Sequence, residues 1–264
     1  MNIVVQILLL ALGFALLVKG SDWFVDGAAG VATKLGIPQL VVGLTIVAMG
    51  TSAPELAVSL SAALKGNASI CIGNVVGSNI LNILIILGIC ALIVNVRVAK
   101  STITTEIPFM MAITAVLLLF GFTGGSISLA EGLILLALFV AYLLYLYVMA
   151  KKNPVEADEE IKNTSWIKLF VLIIIGLVAI IVGSEFTVDA ATTLAKAIGI
   201  SERFIGLTVV ALGTSLPELF TSVNAARKGN ADIAIGNIVG SNIFNILFIL
   251  GTTAMVTTIP FAEG

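Results

Sequence analysis

The sequence predicts an all-α protein that crosses a lipid bilayer several times. Three observations carry the prediction. Of 264 residues, 59% are hydrophobic and only 11% are charged, with mean hydropathy +1.17, whereas soluble domains carry about 25% charged residues. The apolar residues fall into runs of roughly 20, the length that spans a hydrocarbon core. Finally, the chain superimposes on itself at an interval of 163 residues.

The apolar runs lie near residues 3–20, 39–63, 70–94, 103–122, 128–149, 166–186, 204–226 and 233–256, which predicts eight transmembrane helices. The first begins MNIVVQILLL. It lacks a positive n-region and an A-x-A-like cleavage site, so it reads as a retained helix and not a signal peptide. The second contains GTSAPELAVS (50–59) and the seventh GTSLPELFTS (213–222). The third contains Cys71 and Cys90; inside one helix they read as small apolar residues, with no disulfide framework. Only residues 151–165, KKNPVEADEEIKNTS, form a long polar connection. They read as a solvated connector, and their four clustered acids also permit a regulatory ion site.

Between residues 20 and 88, adding 163 reaches a counterpart without a gap, and 41 of the 69 pairs are identical. Asp26 pairs with Asp189, Glu55 with Glu218, and Gly77-Ser78-Asn79-Ile80 with Gly240 to Ile243. One copy-to-copy interval encloses five predicted helices, and an odd number inverts the second copy, as in secondary transporters. The chain therefore divides into a first repeat at 1–150, a cytoplasmic connector at 151–165, and a second, inverted repeat at 166–264. Counterparts of the helices near 103–122 and 128–149 are not found after residue 256, so the second repeat reads as lacking two helices.

The positive-inside rule sets the orientation. With the N-terminus outside, Lys19, Lys34, Arg97, Lys100, Lys151, Lys152, Lys162, Lys168, Arg227 and Lys228 are cytoplasmic, ten against the three outside at Lys65, Lys196 and Arg203.

Composition also excludes function classes. There is no histidine, the usual metal ligand and neutral-pH proton shuttle. A net charge of −2 without a basic patch leaves no nucleic-acid surface. No nucleophile-plus-base set and no G-x-S-x-G elbow is present, so an enzyme is not indicated.

The repeated segments carry the chemistry. Pro54 lacks an amide hydrogen and crowds the carbonyl of Gly50, so carbonyls from Ala48 to Thr51 are expected to lose helical partners. Within a bilayer such backbone survives only where it lines a protein cavity. Freed carbonyls, the hydroxyls of Thr51 and Ser52, and the Glu55 carboxylate are hard oxygen donors suited to Na⁺ and Ca²⁺. Ala211, Thr214, Ser215 and Glu218 repeat the set. In the next helix Asn74, Ser78 and Asn82 form one polar stripe at four-residue spacing, repeated by Asn237, Ser241 and Asn245. Gly73 and Gly77, like Gly236 and Gly240, would admit a second backbone. Taken singly, such glycines read as packing, a lone Asn or Ser as an interhelical hydrogen bond, and a proline as a kink. The glutamates differ, because a mid-span carboxylate without a neighbouring cation costs several kcal/mol unless a metal ion or proton neutralises it. Two carboxylates meeting at the midplane match one Ca²⁺, and the same oxygens could hold several Na⁺ ions. Competition for shared ligands would couple the two.

At GTSAPE with GNVVGSNILN, and GTSLPE with GNIVGSNIFN, the sequence resembles the cation/calcium exchanger superfamily, above all its prokaryotic sodium/calcium exchanger members. The resemblance covers nearly the whole chain and implies a ten-helix fold in two inverted five-helix halves. Helices two, three, seven and eight would form the ion-binding core, with one and six sliding across it. It implies calcium ligation by Glu55, Glu218 and the carbonyls of Thr51 and Thr214. It implies sodium sites at Ala48, Thr51, Ser52 and Ser78 and at Ala211, Thr214, Ser215 and Ser241, with Asn82 and Asn245 facing the centre. Several relatives, including the potassium-dependent branch, have Asp at the position of Asn245; Asn there argues against potassium cotransport. The transported ions are the only small-molecule partners implied, with no further cofactor, and the absent helices bear on stability and on the contacts of a homo-oligomer. A proton/calcium antiporter of the same superfamily is the alternative. A cation channel is a more distant one, since channels use rings in symmetric oligomers.

Overall fold

The computed structural model describes residues 3–155, 164–201 and 211–261. Helix α1 runs Ile3–Leu35, well past the residue 20 at which its apolar run ends. Its polar half continues because the charged residues there find partners across the molecule, described below. Gly36 at φ +64° and Pro38 then stop the helix, glycine adopting the left-handed turn and proline refusing to continue it. The same logic carries α7, Trp166–Ala197, past the expected residue 186 to Gly199 at φ +85°.

The second expected span is a broken pair, α2 (Gln39–Thr51) and α3 (Ala53–Leu64), bent by 45°. The break falls at Ser52 (φ −83°, ψ 9°), two residues before Pro54. Its counterpart separates α8 (Ala211–Thr214) from α9 (Leu216–Arg227) at Ser215 (φ −90°, ψ 3°). The remaining long helices are α4 (Ser69–Ile93), α5 (Thr102–Gly124), α6 (Leu129–Lys152) and α10 (Ala231–Val256). Six described helices are long and apolar enough to cross a membrane, seven if α2–α3 counts as one span. The expected span 204–226 lies partly outside the described residues, as do the four acids of the connector. A two-residue antiparallel pairing, Ser126–Ile127 with Ile259–Pro260, ties the loop after α5 to the end of the chain.

Single π-helical turns open at Asn82 in α4 and at Asn245 in α10, counterpart positions. Such turns are rare and gather at functional sites, because the extra residue re-aims side chains within an otherwise regular helix.

Glycine lets the long helices approach. A methyl group on Gly20 of α1 would stand 2.9 Å from the carbonyl oxygen of Gly176 of α7, and one on Gly183 would stand 2.8 Å from that of Gly13. Gly236 and Gly240 of α10 accept α2 in the expected way, a methyl on Gly236 meeting the Gly43 Cα at 2.9 Å. Gly73 and Gly77 have no neighbour within 4 Å among the described residues; the counterparts of Gly43 and Leu44 fall at 206 and 207, outside them. Helix α10 is the buried axis of the protein, its apolar window 94% buried against 22% for α4. Both cysteines are buried in α4 and free, as small apolar residues would be.

Candidate functional site

The two broken pairs and helices α4 and α10 meet deep in the protein. Glu55, in the first turn of α3, is fully buried, and Glu218, in the first turn of α9, is 1% exposed. Ser52, at the first break, donates its hydroxyl to Glu218 Oε1 at 2.9 Å. Ser78 donates to Glu55 Oε1 at 3.3 Å. Thr214 lies near Glu55, and Thr51 and Ser241 lie near Glu218. The charged group acting on Glu55 is Glu218 itself. Among the described residues the ion pairs join Lys19 to Asp22 and Lys228 to Asp22 and Asp26, and none reaches either glutamate.

The breaks leave less open backbone than proline alone suggests. The Ala48 carbonyl still accepts the Ser52 amide at 3.1 Å, and the Thr51 and Ser241 hydroxyls approach it at 3.4 Å. In the second copy the Ser215 amide turns to Leu212 at 3.2 Å. Ala48 keeps its helical hydrogen bond because the missing donor belongs to Pro54, two residues beyond Ser52. Ala211 opens the short α8 just ahead of this turn.

Asparagines brace the glutamates. Asn74 donates to the Glu55 carbonyl at 3.0 Å and to Ser59 Oγ at 2.9 Å. Asn237 repeats this toward the Glu218 carbonyl (3.4 Å) and Ser222 Oγ (2.9 Å), and accepts the Thr51 hydroxyl at 3.0 Å. A side-chain amide thus fixes each carboxylate-bearing turn to the following helix.

Unsatisfied oxygens show what the site lacks. Glu55 Oε2, Glu218 Oε2, Asn82 Oδ1, Asn245 Oδ1 and Ser215 Oγ are all buried without a hydrogen-bond partner. Buried acceptors left open cost about 1–3 kcal/mol each, more when charged. Four of the five form two counterpart pairs. Only oxygens are orphaned here, and no described cluster of His, Cys, Asp and Glu competes as a metal site. A hard cation answers all of them.

The two sides of the site differ. On one side of the site, Lys228 at the end of α9 reaches Asp26 Oδ1 at 2.7 Å and Asp22 Oδ1 at 3.2 Å of α1. Asn224 adds hydrogen bonds to Asp22 at 2.8 Å and Ser21 at 3.1 Å. The counterparts of Lys228, Asp22 and Asp26 are Lys65, Glu185 and Asp189. Glu185 and Asp189 instead line a cavity of about 420 Å³ with Ala53, Pro54, Ser184 and Thr214, and Lys65 lines a different one. Thr214 joins the first cavity to the glutamates. On one side these residues form an ionic contact, and on the other their counterparts line cavities.

The twelve candidate ligands named from the sequence lie at these two breaks and on these two polar stripes. Missing from that set are Asn79 and Asn242, which the repeat marked as identical without distinguishing them from their neighbours, and the Asp22–Asn224–Lys228 contact, in which Asp22 lies 202 residues from Asn224 and 206 from Lys228. Another omission is Glu106, fully buried on α5, which accepts a hydrogen bond from Tyr145 of α6.

Comparison with known proteins agrees with this geometry. The family described as "Sodium/calcium exchanger protein" matches residues 5–148 and 168–263. The chain is 40% identical over 252 residues to the putative antiporter CaxA of Alkalimonas amylolytica, covering 92% of this chain and 78% of that one. It is 34% identical over 300 residues to the sodium/calcium exchanger MaX1 of Methanosarcina acetivorans, covering 99% and 86%. The structure of the sodium-calcium exchanger NCX_Mj superimposes with a TM-score of 0.86 at 35% identity, over 99% of this chain and 86% of that one. These relatives are membrane transporters, not enzymes, and the chain belongs to the sodium/calcium exchanger protein family.

Proposed function

We propose that the protein exchanges Na⁺ for Ca²⁺ across the membrane by alternating access, electrogenically and without K⁺. The observation that carries this reading is the pair of buried glutamates, one from each repeat, with two carboxylate and two amide oxygens buried and left without a partner. Two carboxylates balance one Ca²⁺, which takes six to eight oxygens. The open oxygens, the hydroxyls around them and water could complete that shell. Na⁺ ions held by Ser52, Ser78, Ser215, Ser241, Thr51, Thr214 and the carbonyls at Ala48 and Ala211 would use the same carboxylates, so the two cations exclude one another. The hydroxyls favour sodium over protons as counter-ion, since a proton needs no oxygen cage. Asn245 leaves the site one potential charge short of an Asp-bearing site, which argues against K⁺.

Inverted halves would let the Lys228 contact and its mirror image exchange roles as α1 and α7 move, with the N-terminus outside and the connector cytoplasmic. Reconstituted vesicles provide the test. Calcium uptake should require internal Na⁺, and Glu55→Gln or Glu218→Gln should reduce it at least 100-fold. Uptake driven by a pH gradient alone would reassign the counter-ion to H⁺, and single-channel currents would replace exchange by a pore.

A further inference from the structure

Four asparagines, two from each repeat, form a closed hydrogen-bond exchange between α4 and α10. Asn79 of α4 donates its amide to the backbone carbonyl of Asn242 of α10 at 3.2 Å, and Asn242 returns the bond to the carbonyl of Asn79 at 3.3 Å. Their side-chain oxygens then accept from the other two. Asn242 Oδ1 accepts from Asn82 Nδ2 at 2.9 Å, and Asn79 Oδ1 accepts from Asn245 Nδ2 at 3.0 Å. Asn242 Nδ2 also approaches Met110 Sδ at 3.7 Å. The residue numbers obey the 163-residue interval throughout, and Asn82, Asn242 and Asn245 are each no more than 1% exposed.

This arrangement settles an ambiguity in the site. A side-chain amide is oxygen at one end and two N–H donors at the other. Facing a cation with its nitrogen, it would repel where it should ligate. Because Asn82 and Asn245 each spend their Nδ2 on an acceptor behind them, both Oδ1 atoms are left buried and without a partner. The bond that does this always comes from the opposite repeat. Asn79 and Asn82, like Asn242 and Asn245, are three residues apart and share one α-helical face, and a π-helical turn begins at the second of each pair.

We infer that Asn79 and Asn242 are positioning residues that hold the Asn245 and Asn82 amides oxygen-forward toward the transported cation, each repeat orienting the other repeat's ligand. The inference rests on the exchange reading for the identity of the cation, and its consequence is specific. Asn79 and Asn242 govern cation affinity without touching the ion, and they act through the acceptor oxygen of their side chains.

The experiment measures equilibrium Ca²⁺ binding to the purified full chain, with Na⁺-driven uptake followed separately in vesicles. Asn242→Leu removes the acceptor at similar size and should weaken Ca²⁺ binding at least tenfold. Asn242→Asp keeps an oxygen for Asn82 Nδ2 and should stay within threefold of the unsubstituted protein. In an Asn82→Asp background, where both side-chain termini are oxygen and nothing needs orienting, the further change Asn242→Leu should alter binding less than threefold. The mirror set at Asn79 and Asn245 should behave alike, and it serves as an independent copy should Asn242→Leu fail to fold. Equal losses in the Leu and Asp variants would overturn the inference, as would a folded Asn242→Leu protein with unchanged affinity. So would a full Asn242→Leu effect persisting in the Asn82→Asp background. If Ca²⁺ binds with this pattern but Na⁺ gradients drive no uptake, the positioning role stands and the exchange reading falls.

Discussion

The Ser52 hydroxyl is the shortest direct side-chain link between one break and the opposite glutamate, at 2.9 Å from Glu218 Oε1. A hydrogen bond to a carboxylate contributes about 1.5–3 kcal/mol. Ser52→Ala should therefore raise the half-saturating Ca²⁺ concentration by about tenfold, read from uptake into Na⁺-loaded vesicles. Ser59→Ala, which removes a hydroxyl that receives Asn74 and lies behind the site, should have a smaller effect on affinity. The glutamates act differently from either serine. Each keeps one oxygen satisfied and one open, so Gln in place of Glu removes charge and turns half of the cation's carboxylate ligation into a donor. That is why the loss expected for Glu55→Gln or Glu218→Gln is one of function and not merely of affinity.

At the scale of elements, two kinds of contact can be separated by substitution. Helix α2 meets α10 backbone to backbone at Gly43 and Gly236, where a methyl group on Gly236 would lie 2.9 Å from Gly43 Cα and from the Leu40 carbonyl oxygen. Neither atom belongs to a flexible side chain, so Gly236→Ala must push the helices apart. Overpacking of this kind costs about 1–3 kcal/mol, and a lower melting temperature in detergent is the expected readout. The contact of α1 with α9 is of another kind. Lys228 with Asp22 and Asp26 is partly exposed, and such pairs contribute little net stability, about 1 kcal/mol or less. Lys228→Met should leave the melting temperature nearly unchanged yet loosen the closed side. Thiol labelling of a cysteine at Ser21, now buried beside Asn224, should speed up several-fold in that background. Unchanged labelling would mean that apolar packing, not this ion pair, holds the side closed.

For the whole molecule, if the proposed exchange takes three Na⁺ for one Ca²⁺, one net charge moves per cycle, and a potential of 100 mV acts on that charge with about 2.3 kcal/mol. An inside-positive potential of that size should raise Ca²⁺ accumulation by Na⁺-loaded vesicles about 50-fold at equilibrium; an accumulation indifferent to potential would make the cycle electroneutral. Membrane character, the repeat and the oxygen donors clustered at the two breaks were legible from the sequence because each rests on local chemistry. Apolar run length, identity at a fixed interval, and proline beside a carboxylate need no knowledge of the fold. Helix ends at Leu35 and Ala197 were not legible, because hydropathy stops at the first charges while the helix continues wherever a distant Lys228 or a cavity receives them. Nor was the role of Asn79 and Asn242 visible, since an amide's direction depends on an acceptor 163 residues away. The sequence by itself determined which oxygens the protein could offer a cation. Tertiary structure alone decided which of them stay unpaired and which acids meet Lys228 instead of a cavity, because hydrogen-bond satisfaction and ion pairing are properties of what two remote segments do when they meet.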